Sequence, residues 1–254
     1  MEIYLAGISS REKIIIEELE KGLKIPYMLE SFMYFKEFQH DIIKNGTKFI
    51  LDSGAFTFIH GNTTPTIKEI EQFTYKYIEF INKYDIEYFF EMDIDKVIGL
   101  KKVEELRELI EKETNKKTIP VFHQERGLQY FHDMIDNYNY VALGGSANNV
   151  KSSKYKKFFP YFIQEAKKKN CKIHGLGFTA LSKLMLPQYN FDSVDSTTWL
   201  HGHRFSNLFR FTGKEMKCIT LDTSKKKDLK ELCKVNLKEW IKFCNYMGGK
   251  ENGK

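Results

Sequence analysis

No two of the four cysteines, Cys171, Cys218, Cys233 and Cys244, stand close together in this 254-residue chain. That spacing excludes a dense disulfide framework and a CxxC-type zinc site, and it predicts a reduced, cytosolic setting. No apolar run reaches about 18 residues, and the opening Met-Glu-Ile-Tyr-Leu-Ala-Gly lacks a basic stretch followed by a long apolar one. Neither a membrane span nor a secretion signal is expected. A low-complexity linker is missing too, so nothing marks a boundary between domains. A strong charge of one sign is also lacking. The 40 Lys and Arg against 34 Asp and Glu leave a net +6, which is compatible with a polyanionic partner without requiring one.

What the chain has is alternation. Short β-rich apolar runs, near Ile3–Ile8, Lys48–Asp52, Tyr88–Asp93, Thr118–His123, Tyr140–Gly145, Lys172–Gly177 and Phe191–Asp195, are separated by segments with helical periodicity. Ser9 with Glu12, and Thr66 with Glu69, have the spacing of capping boxes. The aromatic-rich residues 27–34 read as a loop over a pocket or as part of the core. Ala55–Pro65 reads as a covering loop, Met216–Leu221 as a weaker eighth strand, and 226–247 as a closing helix. Strands joined by helical crossovers form a parallel sheet. About eight such units in about 250 residues is the size of a (β/α)8 TIM-type barrel. One domain over 1–254 is therefore expected, with a doubly wound open sheet as the alternative.

The unusual polar residues fall at the C-terminal ends of these runs, where barrel enzymes keep their chemistry. Asp52 and Asp195 each follow an apolar run and precede small turn residues. Two such carboxylates across one pocket suit a glycosidic bond, one as nucleophile and one as proton carrier; each alone could equally cap a helix. Asp93 and Asp95 offer acceptors for a guanine-like edge, His123 a donor, and Gly144, Gly145, Gly175 and Gly177 let a flat ligand approach backbone groups. Phe56 could stack on a base. Arg204 and Arg210 are placed to hold a phosphate, and Asp192 is a further candidate acid. His201 and His203 lack a third ligand at fixed spacing, so no metal or other cofactor is expected.

These motifs together carry a resemblance. Leu51-Asp-Ser-Gly-Ala-Phe56 resembles the DSGGF motif of the tRNA-guanine transglycosylases, and Phe191-Asp-Ser-Val-Asp-Ser196 resembles that family's late strand with the nucleophilic Asp. Leu143-Gly-Gly145 is similar to its Gly-Gly turn, Met92-Asp93 and Phe122-His123 to its base-reading Asp and Gln, and His174-Gly-Leu-Gly177 to its Gly-Val-Gly turn. Three departures stand out: Ala55 for Gly, His123 for Gln, and no CxCxxC…H zinc module. In the lack of that module and in its compact size it looks more like the divergent phage and DNA-modification type. The resemblance implies a barrel enzyme that replaces guanine in nucleic acid, DNA in preference to tRNA, with a 7-deazaguanine base. Asp195 would be the nucleophile and Asp52 the proton carrier, with Ser53, Phe56, Asp93, His123, Gly144, Gly145 and Gly177 around the base. An N-glycoside hydrolase, or a nucleotide- or nucleic-acid-binding module, are the alternatives on the same pocket.

Overall fold

Runs such as Ile3-Tyr-Leu-Ala6 and Tyr140-Val-Ala-Leu143 are apolar on both faces, the composition of strands that are covered from both sides. A computed structural model describes residues 1–55, 65–144, 156–178, 180–222 and 228–249. Its main sheet is parallel, with β1 (Glu2–Ala6), β2 (Tyr27–Ser31), β3 (Lys48–Asp52), β4 (Tyr88–Phe89), β5 (Val121–Phe122), β6 (Tyr140–Leu143), β7 (Lys172–Gly175) and β8 (Ser193–Ser196) in the order β4-β3-β2-β1-β8-β7-β6-β5. The first and last strands thus lie side by side, with Tyr4 opposite Asp195 and Leu5 opposite Met28. The sheet curls. It forms a half-barrel that is not closed; outside the named strands, an isolated parallel bridge joins Phe90 to Ile119, with Ile119 N donating to Phe89 O at 2.8 Å and Glu91 N to Ile119 O at 3.2 Å. This α/β architecture is compatible with a TIM-like fold.

Side chains alternate across a strand, and the alternation sorts this sheet into two faces. Tyr4, Ala6, Leu29, Ile50, Phe90, Ile119, Val121 and Ala142 pack together on the inner face. Ile3, Leu5, Met28, Leu51, Phe89, Phe122, Val141 and Ile173 face outward and meet the helices. Those helices are α1 (Glu12–Glu20), α2 (Glu37–Lys44), α3 (Ile67–Tyr84), α4 (Asp95–Ile98), α5 (Leu100–Thr114), α6 (Leu128–Asn137), α7 (Phe159–Lys168), α8 (Leu181–Leu184), α9 (His201–Phe205) and α10 (Leu229–Gly249). The expected capping box at α3 is present: Thr66 N donates to Glu69 Oε2 at 2.7 Å, and Glu69 N to Thr66 Oγ1 at 3.3 Å. The C-terminal α10 packs on β1 with Leu237, Trp240 and Cys244 buried. Among the described residues, no helix is long and apolar enough to cross a membrane.

Three expectations are revised. Of the two readings of residues 27–34 the core one holds: Tyr27–Ser31 is the strand β2, with Met28 and Leu29 buried in the core, and Phe32–Tyr34 is a 3-10 turn. Tyr27 and Leu29 face inward, while Met28 and Glu30 face the helices. Glu30 hides the strand in the sequence because a charged residue interrupts the apolar run. Its carboxylate is nevertheless buried, accepting from Ser9 N at 2.9 Å and Gln39 Nε2 at 3.0 Å. Second, 216–220 is β10, which pairs antiparallel with β9 (Asn207–Phe211) in a separate sheet. Only residues 212–215 join the two, too short a link for a parallel crossover. Third, Ser9 does not cap α1. It lies inside a 3-10 turn, Ile8–Arg11, and α1 begins after Arg11 with no side-chain cap.

Candidate active site

The inward positions continue to the C-terminal strand ends. Asp52 shares the parity of Ile50, Asp195 that of Ser193, His123 that of Val121, and Gly144 that of Ala142. Period two alone therefore brings two carboxylates, a histidine and a bare glycine to one end of the inner face. Among the described residues, none of these acids caps a helix. Thr66 caps α3, and the short turn after β8 is served by Ser196, whose Oγ accepts from Thr198 N at 3.0 Å. The helix α4 has no side-chain cap, so Asp93 does not cap it either.

Among the described residues, Asp52 accepts one weak bond, from Gly54 N at 3.2 Å. Protein surrounds its carboxyl on nearly every side, although some surface remains open. Burial pushes its pKa up to about 7, the Gly54 N–H opposes this, and the charges of Asp195, Asp93 and Glu30 add to the rise. Asp52 and Asp195 therefore feel one another. Asp195 is held through one oxygen: Oδ1 accepts from Gly177 N at 2.6 Å and lies 3.2 Å from His174 Nε2. Gly177 makes this bond from a left-handed conformation, φ +59, that a side chain would strain. Among the described residues, no hydrogen bond reaches Oδ2.

Asp93 and His123 form a pair, with His123 Nε2 2.7 Å from Oδ1 and 2.9 Å from Oδ2. Burial lowers the His123 pKa, but the hydrogen bond and charge of Asp93 outweigh it, and the net direction is upward. Behind them lies Arg126, nearly buried, bonded to Glu91 at 3.0 Å, Asp95 at 3.0 Å and Asp93 at 3.4 Å. Asp93, Asp95 and His123 could bring ligand atoms within 4.8 Å of one another. The Arg126 guanidinium already supplies the cation among these carboxylates, so the cluster reads as an ion-pair network. Gly144 is bare because the His123 ring passes over it: a Cβ there would lie 2.4 Å from Cε1 of His123 and 2.8 Å from Cγ1 of Val121. Gly144→Ala should displace the ring and cost about 1–3 kcal/mol, read as a lower midpoint in urea unfolding.

The remaining candidates separate. Ser53 is buried, its Oγ accepting from Ala55 N at 3.4 Å within its own turn. Asp192 does not join Asp195. Three residues of strand place it about 10 Å toward the opposite end of the sheet. There its Oδ2 accepts from Ile173 N at 2.8 Å, and the residue lines a cavity of about 430 Å³ together with Glu2, Lys48, Tyr140 and Lys172. Arg210 is exposed on β9. Phe56, Gly145 and most of the Ala55–Pro65 loop lie outside the described residues, as do the side chains of His203 and Arg204.

Sequence reasoning missed Glu30, Arg126 and any role for His174. Glu30 and Arg126 left no local signal, since each acts on a residue distant in the chain. His174 did leave one: it stands mid-strand with the parity of the inward set. No protein-family model matches the chain, and neither does any curated protein.

Proposed function

We propose that the chain is a base-exchange transglycosylase acting on guanine in nucleic acid, DNA in preference to tRNA. In this reading the half-barrel belongs to a (β/α)8 TIM-type fold of one domain, with its active site at the C-terminal rim and α10 as its closing helix. The observation that carries the proposal is the unequal pair of acids at one strand-end surface. Asp52 has a carboxyl pushed up to about 7, and Asp195 is fixed through Oδ1. A carboxyl raised toward neutral pH suits the proton carrier, and a carboxylate held through one oxygen leaves the other for attack.

Oδ2 of Asp195 attacks C1′ of the target nucleotide, forming an ester as the C1′–N9 bond breaks. The proton on Asp52 passes to the departing guanine. A 7-deazaguanine then takes the vacated place, gives its ring N–H proton to Asp52, and displaces Asp195 from C1′. Each step conserves charge and needs no cofactor. Asp93 and His123 meet the edge of the base, since a carboxylate with about four lone-pair sites has capacity left beyond the His123 and Arg126 bonds. Phe56 is the stacking partner in this reading, and Gly144, Gly145 and Gly177 give the flat ring room.

Radiolabelled guanine tests the exchange without the natural incoming base being known. The protein should incorporate it into DNA or tRNA. Release of free base without incorporation would instead identify a hydrolase, and stable binding without turnover a binding module.

A further inference from the structure

Directly beneath Asp195 on the inner face runs a chain of polar groups, buried at His174 and Ser193 and half-buried at Tyr140. His174 is completely buried, its Nε2 3.2 Å from Asp195 Oδ1 and its Nδ1 2.6 Å from Ser193 Oγ. Ser193 Oγ is in turn hydrogen-bonded to the hydroxyl of Tyr140. The ring itself is wedged between Tyr4 and Phe90, at centroid distances of 6.2 and 5.3 Å. Among the described residues, its two ring nitrogens have no other hydrogen-bond partner. A buried polar chain of this kind is favourable only if every member is satisfied, and one end sets the direction of all the bonds.

In the proposed reaction Asp195 attacks as a carboxylate, which accepts and cannot donate, so the Asp195 end sets that direction. We infer that His174 is a positioning residue for Asp195. It is held as the neutral Nε2–H tautomer by Ser193 and Tyr140, and it pins Oδ1 so that Oδ2 points at the reacting carbon. In this arrangement the Tyr140 O–H donates to Ser193 Oγ, the Ser193 O–H donates to the Nδ1 lone pair, and Nε2–H donates to Asp195. Gly177 N–H supplies the second bond to Oδ1, and two donors on one oxygen fix the carboxylate plane as one alone would not. The hydroxyls of Ser193 and Tyr140 touch no substrate. They act by fixing which ring nitrogen carries the proton, which is how a buried partner commonly sets a histidine's role.

The inference rests on the proposed role of Asp195, but its first test does not. With the full chain labelled with 15N-histidine, the ring nitrogen that carries the proton is identified by its one-bond coupling to hydrogen. The His174 signals, one set among seven histidines, are assigned by their loss in His174→Gln. The expected result is a proton on Nε2 alone in the wild type and a mixture of tautomers in Ser193→Ala. A proton on Nδ1 in the wild type would overturn the inference without touching the exchange reaction. In the guanine-exchange assay Ser193→Ala should lower kcat by roughly 10- to 100-fold with KM unchanged, the signature of a misaligned reacting group. His174→Gln, which can still present an amide N–H to Asp195, should retain more kcat than His174→Leu. Equal kcat in wild type and Ser193→Ala would overturn the positioning role. No exchange by a wild type with the expected tautomer would instead remove the functional reading.

Discussion

Asp195→Asn is expected to abolish guanine incorporation, lowering it by about 10³-fold or more while leaving the fold intact. The magnitude follows from chemistry: the amide of Asn is no nucleophile, so the covalent step has no substitute within reach. The fold should survive because Asn is isosteric and its carbonyl oxygen can still accept from Gly177 N and His174. The assay is incorporation of labelled guanine into DNA or tRNA, with circular dichroism to confirm folding. Nucleic-acid binding by the variant should be retained, because the loss lies in the step after binding. Incorporation at the wild-type rate would remove Asp195 from the role assigned to it.

Asp52 should reveal itself through pH, in two independent ways. As proton donor it acts in its neutral form, so exchange should fall as pH rises through about 7, by about tenfold per unit beyond that. Asp52→Asn should be slow at every pH and lose this limb of the profile. The same shift has a consequence for stability. An unfolded Asp titrates near 3.9. Between about 4 and about 7 the folded state therefore holds a proton that the unfolded state has released, and stability declines as pH rises through that window. Above it the loss levels off at no more than about 4 kcal/mol, with the partial solvent access of the carboxyl reducing it. Asp52→Asn should accordingly raise Tm at pH 8 and have little effect near pH 4. A Tm gain of the same size at both values would show that the carboxyl is not perturbed in the folded protein.

The strand-helix alternation was legible because fully covered parallel strands are apolar runs such as Ile3-Tyr-Leu-Ala6, and because Thr66 and Glu69 mark a helix start with local chemistry. The strand β2 was not legible. Glu30 interrupts its run, and what makes that acid tolerable there, Ser9 N and Gln39 Nε2, comes from segments on either side of the strand. The antiparallel β9–β10 pair was lost for a related reason: β10 has the strand composition, and only its four-residue link to β9 shows that it cannot belong to a parallel sheet. At the site, Asp52, Asp195, Asp93 and His123 were readable because strand ends concentrate polar residues in a chain that otherwise buries apolar ones. The separation of Asp192 from Asp195 follows from strand rise, since three residues span most of the sheet's thickness from one end to the other. Arg126 was invisible: an arginine that neutralises Glu91, Asp93 and Asp95 is recognised only once the fold brings β4, α4 and the turn after β5 together.

The account depends on a covalent bond between one particular carboxylate and the sugar, and mass spectrometry reads that bond directly. The protein is incubated with DNA or tRNA without an incoming base, denatured in acid, treated with nuclease and digested. The account predicts a nucleoside-derived adduct on the peptide that contains Phe191 to Ser196, located at Asp195 by fragmentation and missing from Asp195→Asn. An adduct on Asp52 or elsewhere, or guanine exchange that proceeds with no adduct at all, would contradict it.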